Sequence, residues 1–74
     1  MNVKILKSKM VLAGDEDFVT NVAEVIHKSR QTAGSKLSGK VEFTLSEIAL
    51  ISKHYGFTGE ELKNFVEGES NNEG

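Results

Sequence analysis

Phe43-Thr44-Leu45-Ser46-Glu47-Ile48 and Phe57-Thr58-Gly59-Glu60-Glu61-Leu62 carry the same punctuation. In each, a threonine stands where a helix begins, and a glutamate follows three residues later. The threonine hydroxyl accepts a backbone N–H of the first turn, and the glutamate reaches back to the N–H of the threonine. A phenylalanine before the threonine and an aliphatic residue four after it form a hydrophobic staple, Phe43 with Ile48 and Phe57 with Leu62. Two helices are therefore predicted, with N-caps at Thr44 and Thr58. The first continues its apolar face through Ile51 and Tyr55 and stops at Gly56. The second finishes on Phe65 and Val66.

Working back from this pair, the rest of the chain also reads as helix. Leu6 and Met10 lie four apart, and Val3 and Ala13 extend the stripe, which predicts a helix over 3–13 closed by Gly14. Asp15-Glu16-Asp17 supplies an N-cap and negative charge for a second helix over 18–26. There Phe18, Val22 and Val25 or Ile26 lie at helical spacing. Its β-branched residues lower helix propensity and make a strand the competing assignment. His27-Lys28 is a tight connection, and Ser29 caps a third helix over 30–37. That helix is polar except for Ala33 and Leu37. Ser38-Gly39-Lys40 closes it. The residues from 67 to 74 are polar and acidic, and disorder is expected there. The resulting expectation is an all-α domain over 1–66 with a disordered acidic tail over 67–74.

With 74 residues and no cysteine, there is room for one domain without a disulfide staple or a thiolate metal site. A chain this short buries only about 60% of its unfolded surface. The apolar runs are far shorter than the roughly 20 residues that cross a bilayer, and no signal-peptide core is present. These features point to a cytoplasmic protein with no membrane contact. The formal net charge is −2, but its distribution is uneven. Residues 1–40 hold seven Lys or Arg against four Asp or Glu, and residues 41–74 hold two against seven. From Lys28 to Lys40 there are four basic residues and no acid. Screening over about 8–10 Å lets such a local patch meet phosphate on an acidic protein.

Gly34-Ser35-Lys36-Leu37-Ser38-Gly39-Lys40 matches part of a phosphate loop. Val41 stands where the magnesium-binding hydroxyl should be, and no buried strand precedes it. It is better read as a helix ending in a glycine turn. His27 and His54 belong to no metal-binding motif. No nucleophile has a base and an orienting group beside it. An enzyme, a cofactor and a small-molecule substrate are therefore not expected.

The segment 18–40 places a short helix, a tight turn and a polar, basic helix in succession. That is the layout of a DNA-reading helix-turn-helix, whose second helix presents its N-terminal side chains to base edges. Arg30 could pair with guanine and Gln31 with adenine, while Thr32 or Ser35 could reach a base or a phosphate. Lys36 and Lys40 would neutralise phosphates, and Lys28 is counted among the DNA-binding residues.

Lys7-Ser8-Lys9-Met10, Ala23-Glu24, Ser29-Arg30-Gln31-Thr32, Lys36-Leu37-Ser38-Gly39-Lys40 and Glu42-Phe43-Thr44-Leu45-Ser46-Glu47-Ile48 resemble the small Cro-like and repressor-like helix-turn-helix proteins of phages and prophages in Gram-positive bacteria. The resemblance spans roughly residues 4–66 and is most specific from Lys36 to Ile51. It implies a compact five-helix, lambda-repressor-like domain that controls lysogenic or lytic promoters, often as a homodimer. It implies that Ser29, Arg30, Gln31, Thr32 and Ser35 face bases, and that Lys36, Lys40 and Thr44 sit near phosphates of double-stranded operator DNA. The chain departs from the family pattern at Phe18-Val19-Thr20, at His27 in place of a turn glycine, at Lys28 and at Ala33. These departures, with the acidic second half, support an alternative. In it the same scaffold is an antirepressor or modulator that binds a phage repressor protein through Phe18, Val19, Val25 and His27.

Overall fold

Five helices stand where the caps place them. In the computed structural model, which describes residues 1–68, they are α1 (Val3–Leu12), α2 (Phe18–Ile26), α3 (Arg30–Leu37), α4 (Leu45–Tyr55) and α5 (Gly59–Glu67). The described residues contain no strand, so the β-branched α2 is a helix despite its propensity. Asp17 provides the reason at its start, accepting the Thr20 N–H at 3.1 Å and the Thr20 hydroxyl at 2.8 Å. Burial of Val22, Ala23 and Ile26 holds the rest. Tertiary packing thus outweighs the few tenths of a kcal/mol that each β-branched residue costs.

Both threonine caps close as reciprocal boxes. Glu47 N–H donates to Thr44 Oγ1 at 3.2 Å, and Thr44 N–H to Glu47 Oε1 at 2.9 Å. The second box repeats this, with Glu61 N–H to Thr58 Oγ1 at 3.1 Å and Thr58 N–H to Glu61 Oε1 at 2.8 Å. Two boundaries differ from expectation. The first helix ends at Leu12, because the Ala13 N–H already makes the closing bonds and Gly14 turns the chain at φ +85°. Glu67, expected to open the tail, is instead the last residue of α5. The remaining stretch, 69–74, lies outside the described residues.

The core is one cluster. Leu6 and Met10 enter it from α1, Val22, Ala23 and Ile26 from α2, and Ala33 and Leu37 from α3. Phe43, Ile48 and Ile51 complete it around Phe65. α2 packs on both α3 and α4, while α1 packs on α5. The two staple phenylalanines converge on one ring. Phe43 and Phe57 lie 5.9 and 5.6 Å from Phe65, centroid to centroid, in tilted and edge-on arrangements that aromatic pairs favour. The helix ends are tied as well. Asn2 N–H donates to the Phe65 carbonyl at 2.8 Å, and the Tyr55 hydroxyl donates to Asp15 Oδ2 at 2.5 Å. Burial, and then the Asp15 carboxylate, push the Tyr55 phenol well above its ordinary pKa. This frame leaves the start of α3 on the outside, standing on α2.

Candidate nucleic-acid interface

The connection from α2 to α3 is three residues long, His27, Lys28 and Ser29. His27 adopts the left-handed conformation (φ 60°, ψ 44°) that a helix C-terminus normally gives to glycine. Its N–H and that of Lys28 both reach the Ala23 carbonyl. The chain therefore reverses at once, and Ser29 caps α3 by accepting the Thr32 N–H at 3.1 Å. The Ser29 hydroxyl also donates to Thr32 Oγ1 at 3.0 Å, so these two hydroxyls are engaged with each other.

Arg30 and Gln31 follow on the exposed side. The Arg30 guanidinium lies 3.9 Å from Asp17 Oδ2, and both side chains are more than half exposed. An exposed pair this long is worth little and leaves the arginine available. The Thr20 backbone N–H, then its hydroxyl, hold the Asp17 carboxyl below its ordinary pKa, with Arg30 adding a smaller pull. Ser35 is half-buried, and its carbonyl collects the N–H groups of Lys40 and Val41 and the Ser38 hydroxyl. Those bonds fold the α3–α4 connection back on α3, with Gly39 at φ +86°, and leave the Lys40 side chain in solvent. Thr44 is exposed, with its hydroxyl committed to the cap. Lys28, Ser29, Arg30, Gln31, Lys40 and Thr44 are all exposed, while Thr32 and Ser35 are partly covered.

Lys36 corrects the sequence reading. Its side chain is only 8% exposed and its ammonium is hydrogen-bonded to Glu47 Oε1, across from α3 to α4. The ammonium also lies 6.0 Å from the Phe43 ring centroid. A group that is buried and already neutralised is not placed to neutralise a phosphate. Glu47 is 3% exposed. Burial pushes its pKa upward, but the hydrogen bonds from Lys36 and from the Thr44 N–H outweigh that and hold it below the ordinary value. Its other oxygen, Oε2, has no hydrogen-bond partner within the described residues. Sequence reasoning missed this pair. A lysine in a polar helix and a glutamate in a capping box each read as solvated, and the eleven-residue separation follows no local rule. The phosphate-loop-like string Gly34 to Lys40 is likewise the second half of α3 and its closing turn.

The residues considered for a protein partner separate into two groups. Phe18 and Val19 are partly buried against the core. Val25, which also packs on the core, and His27 line an open groove of about 710 Å³ together with Leu50, Lys53, His54 and Tyr55, with Asp15, Asn21 and Glu24 at its polar edge. No group of three metal-ligating side chains occurs among the described residues. Nor is any described helix long and apolar enough to cross a membrane. Comparison with protein-family models, curated proteins and solved structures finds no match for the chain.

Proposed function

We propose that this chain is a small transcriptional regulator of the phage Cro or repressor type, binding double-stranded operator DNA through a helix-turn-helix made of α2 and α3. The observation that carries the reading is the exposed first turn of α3. A three-residue connection with His27 left-handed presents Ser29, Arg30 and Gln31 outward, and no acid interrupts the chain from Lys28 to Val41. Arg30 would pair with guanine and Gln31 with adenine in the major groove. Lys28 and Lys40 would sit on phosphates, and Lys36 would not. A homodimer would set two such helices about 34 Å apart, one turn of DNA. Selection from a randomised duplex pool at low salt, then titration of the selected duplex at several salt concentrations, tests this. Arg30→Ala should lose about 1–3 kcal/mol and relax one base position, whereas Lys40→Ala should weaken every duplex alike and lower the salt slope by roughly 0.9. No retention of duplex at micromolar protein and low salt would end the proposal.

A second reading is favoured by the α2–α4 groove and by Leu45, which is 82% exposed at the start of α4. In that reading the chain is a modulator that docks onto a phage repressor. Co-purification with a repressor encoded beside it, in the absence of DNA, distinguishes the two.

A further inference from the structure

α3 has few means of holding its place. Of its eight residues only Ala33, Lys36 and Leu37 are buried, and its main packing is on α2. The strongest polar link from α3 to the next helix is the Lys36–Glu47 pair. That pair reaches further than its two residues. Glu47 Oε1 also accepts the Thr44 N–H, and the Lys36 ammonium faces the Phe43 ring. One buried ammonium therefore bonds the carboxylate that closes the cap of α4 and faces Phe43 at the end of the α3–α4 connection. The same connection carries Lys40, and its far end hangs on the Ser35 carbonyl, one residue before Lys36.

Resting on the DNA-binding reading above, we infer that Lys36 is a positioning residue for the interface. It sets Lys40 and Thr44 relative to Arg30 and Gln31, so that both ends of α3 address one duplex, and it makes no DNA contact itself. The physical reason is directionality. Leu37, Phe43 and Ile48 belong to one apolar core cluster, and apolar packing resists separation but tolerates sliding. A charge-assisted hydrogen bond in a dry site has a narrow range of lengths and angles. Buried polar pairs are retained in some proteins for this kind of registry rather than for stability.

The experiment separates registry from stability and from contact. The double variant Lys36→Met with Glu47→Leu removes both charges and keeps apolar bulk. Its melting temperature is expected within a few degrees of the parent. Its affinity for a duplex selected by the parent from a random pool should fall at least tenfold, with the slope of log affinity against log salt unchanged. Parent-like affinity in this variant would make the pair merely structural and overturn the inference. A slope lower by about 0.9 would make Lys36 a phosphate contact and overturn it equally.

A readout without DNA keeps the inference open to failure if the parent binds no duplex, an outcome that would fall on the DNA reading. It uses amide hydrogen exchange of the parent and of the double variant Lys36→Met with Glu47→Leu at pH 6. In the double variant, amides of α3 and of residues 40–44 should lose protection at least tenfold more than those of α1 and α5. Uniform loss across all five helices would refute a registry role for Lys36.

Discussion

Lys36 of α3 donates its ammonium to the Glu47 carboxylate that also closes the capping box of α4, and both side chains are buried. The Lys9–Glu61 pair is its counterpart at the other box, at 3.0 Å but with side chains 21% and 37% exposed. The two boxes share one sequence signature and differ in surroundings. Replacing Lys36 alone with Met should therefore cost about 3–5 kcal/mol, since it strands a buried carboxylate. Lys9→Met should cost far less, because water and salt reach and screen this part-exposed pair. Urea denaturation of the two variants measures the difference, and equal losses would refute it.

Acid should unfold the protein through its caps. The Glu47, Glu61 and Asp17 carboxyls are all held below their ordinary values. Hydrogen bonds and the Lys36 charge outweigh burial at Glu47, while Thr58 and then Lys9 act on Glu61, and Thr20 and then Arg30 on Asp17. Lowered folded-state values mean that the unfolded chain takes up protons first as pH falls. The stabilisation is complete above about pH 4.5 and is lost as pH drops through the folded-state values. Urea midpoints from pH 7 to pH 3 should stay level and then fall, and Glu47→Gln should flatten the fall.

His27 and Gly56 end their helices in the same conformation, at φ 60° and φ 67°. Only the histidine pays the steric cost of a Cβ there, which is of order 1–2 kcal/mol. His27→Gly should gain about 0.5–1 kcal/mol after the extra freedom of glycine in the unfolded chain is subtracted. For a domain this size that is roughly a 2–8 °C rise in melting temperature. Gly56→Ala should lower it.

Gly34 sits inside α3, and a Cβ built there meets nothing within 4 Å. Gly34→Ala should therefore stabilise the fold by about 0.5–1 kcal/mol through helix propensity alone. Thermal melts check this, and a loss of stability would mean that the helix needs the glycine for a conformation other than the one observed.

Phe65 is fully buried and takes the rings of both Phe43 and Phe57. Phe65→Ala should cost about 3–5 kcal/mol, much or all of the stability of so small a domain. Phe57→Ala, at a half-buried position, should cost less. Circular dichroism melts of the two variants rank them.

Most of what neighbours within four residues govern was readable from the chain itself, although the Asn2 cap of α1 was not. The caps at Asp17, Ser29, Thr44 and Thr58, the stops at Gly14 and Gly56, and the buried stripes Leu6–Met10 and Ala33–Leu37 are local rules of hydrogen bonding and periodicity, and they placed all five helices. The left-handed turn at His27 was implied only by the family resemblance, in which His27 stands in place of a turn glycine. Only the tertiary structure decided what the charged and aromatic residues do. Phe43 and Phe57 each staple a helix locally, yet they meet on Phe65. Lys36 looks like one more cation of a basic helix, yet burial beside Glu47 turns it inward and takes it out of the proposed DNA-contact set. Burial and the pairing of distant charges depend on how the helices pack, and no local rule fixes which exposed-looking side chain a neighbouring helix will cover.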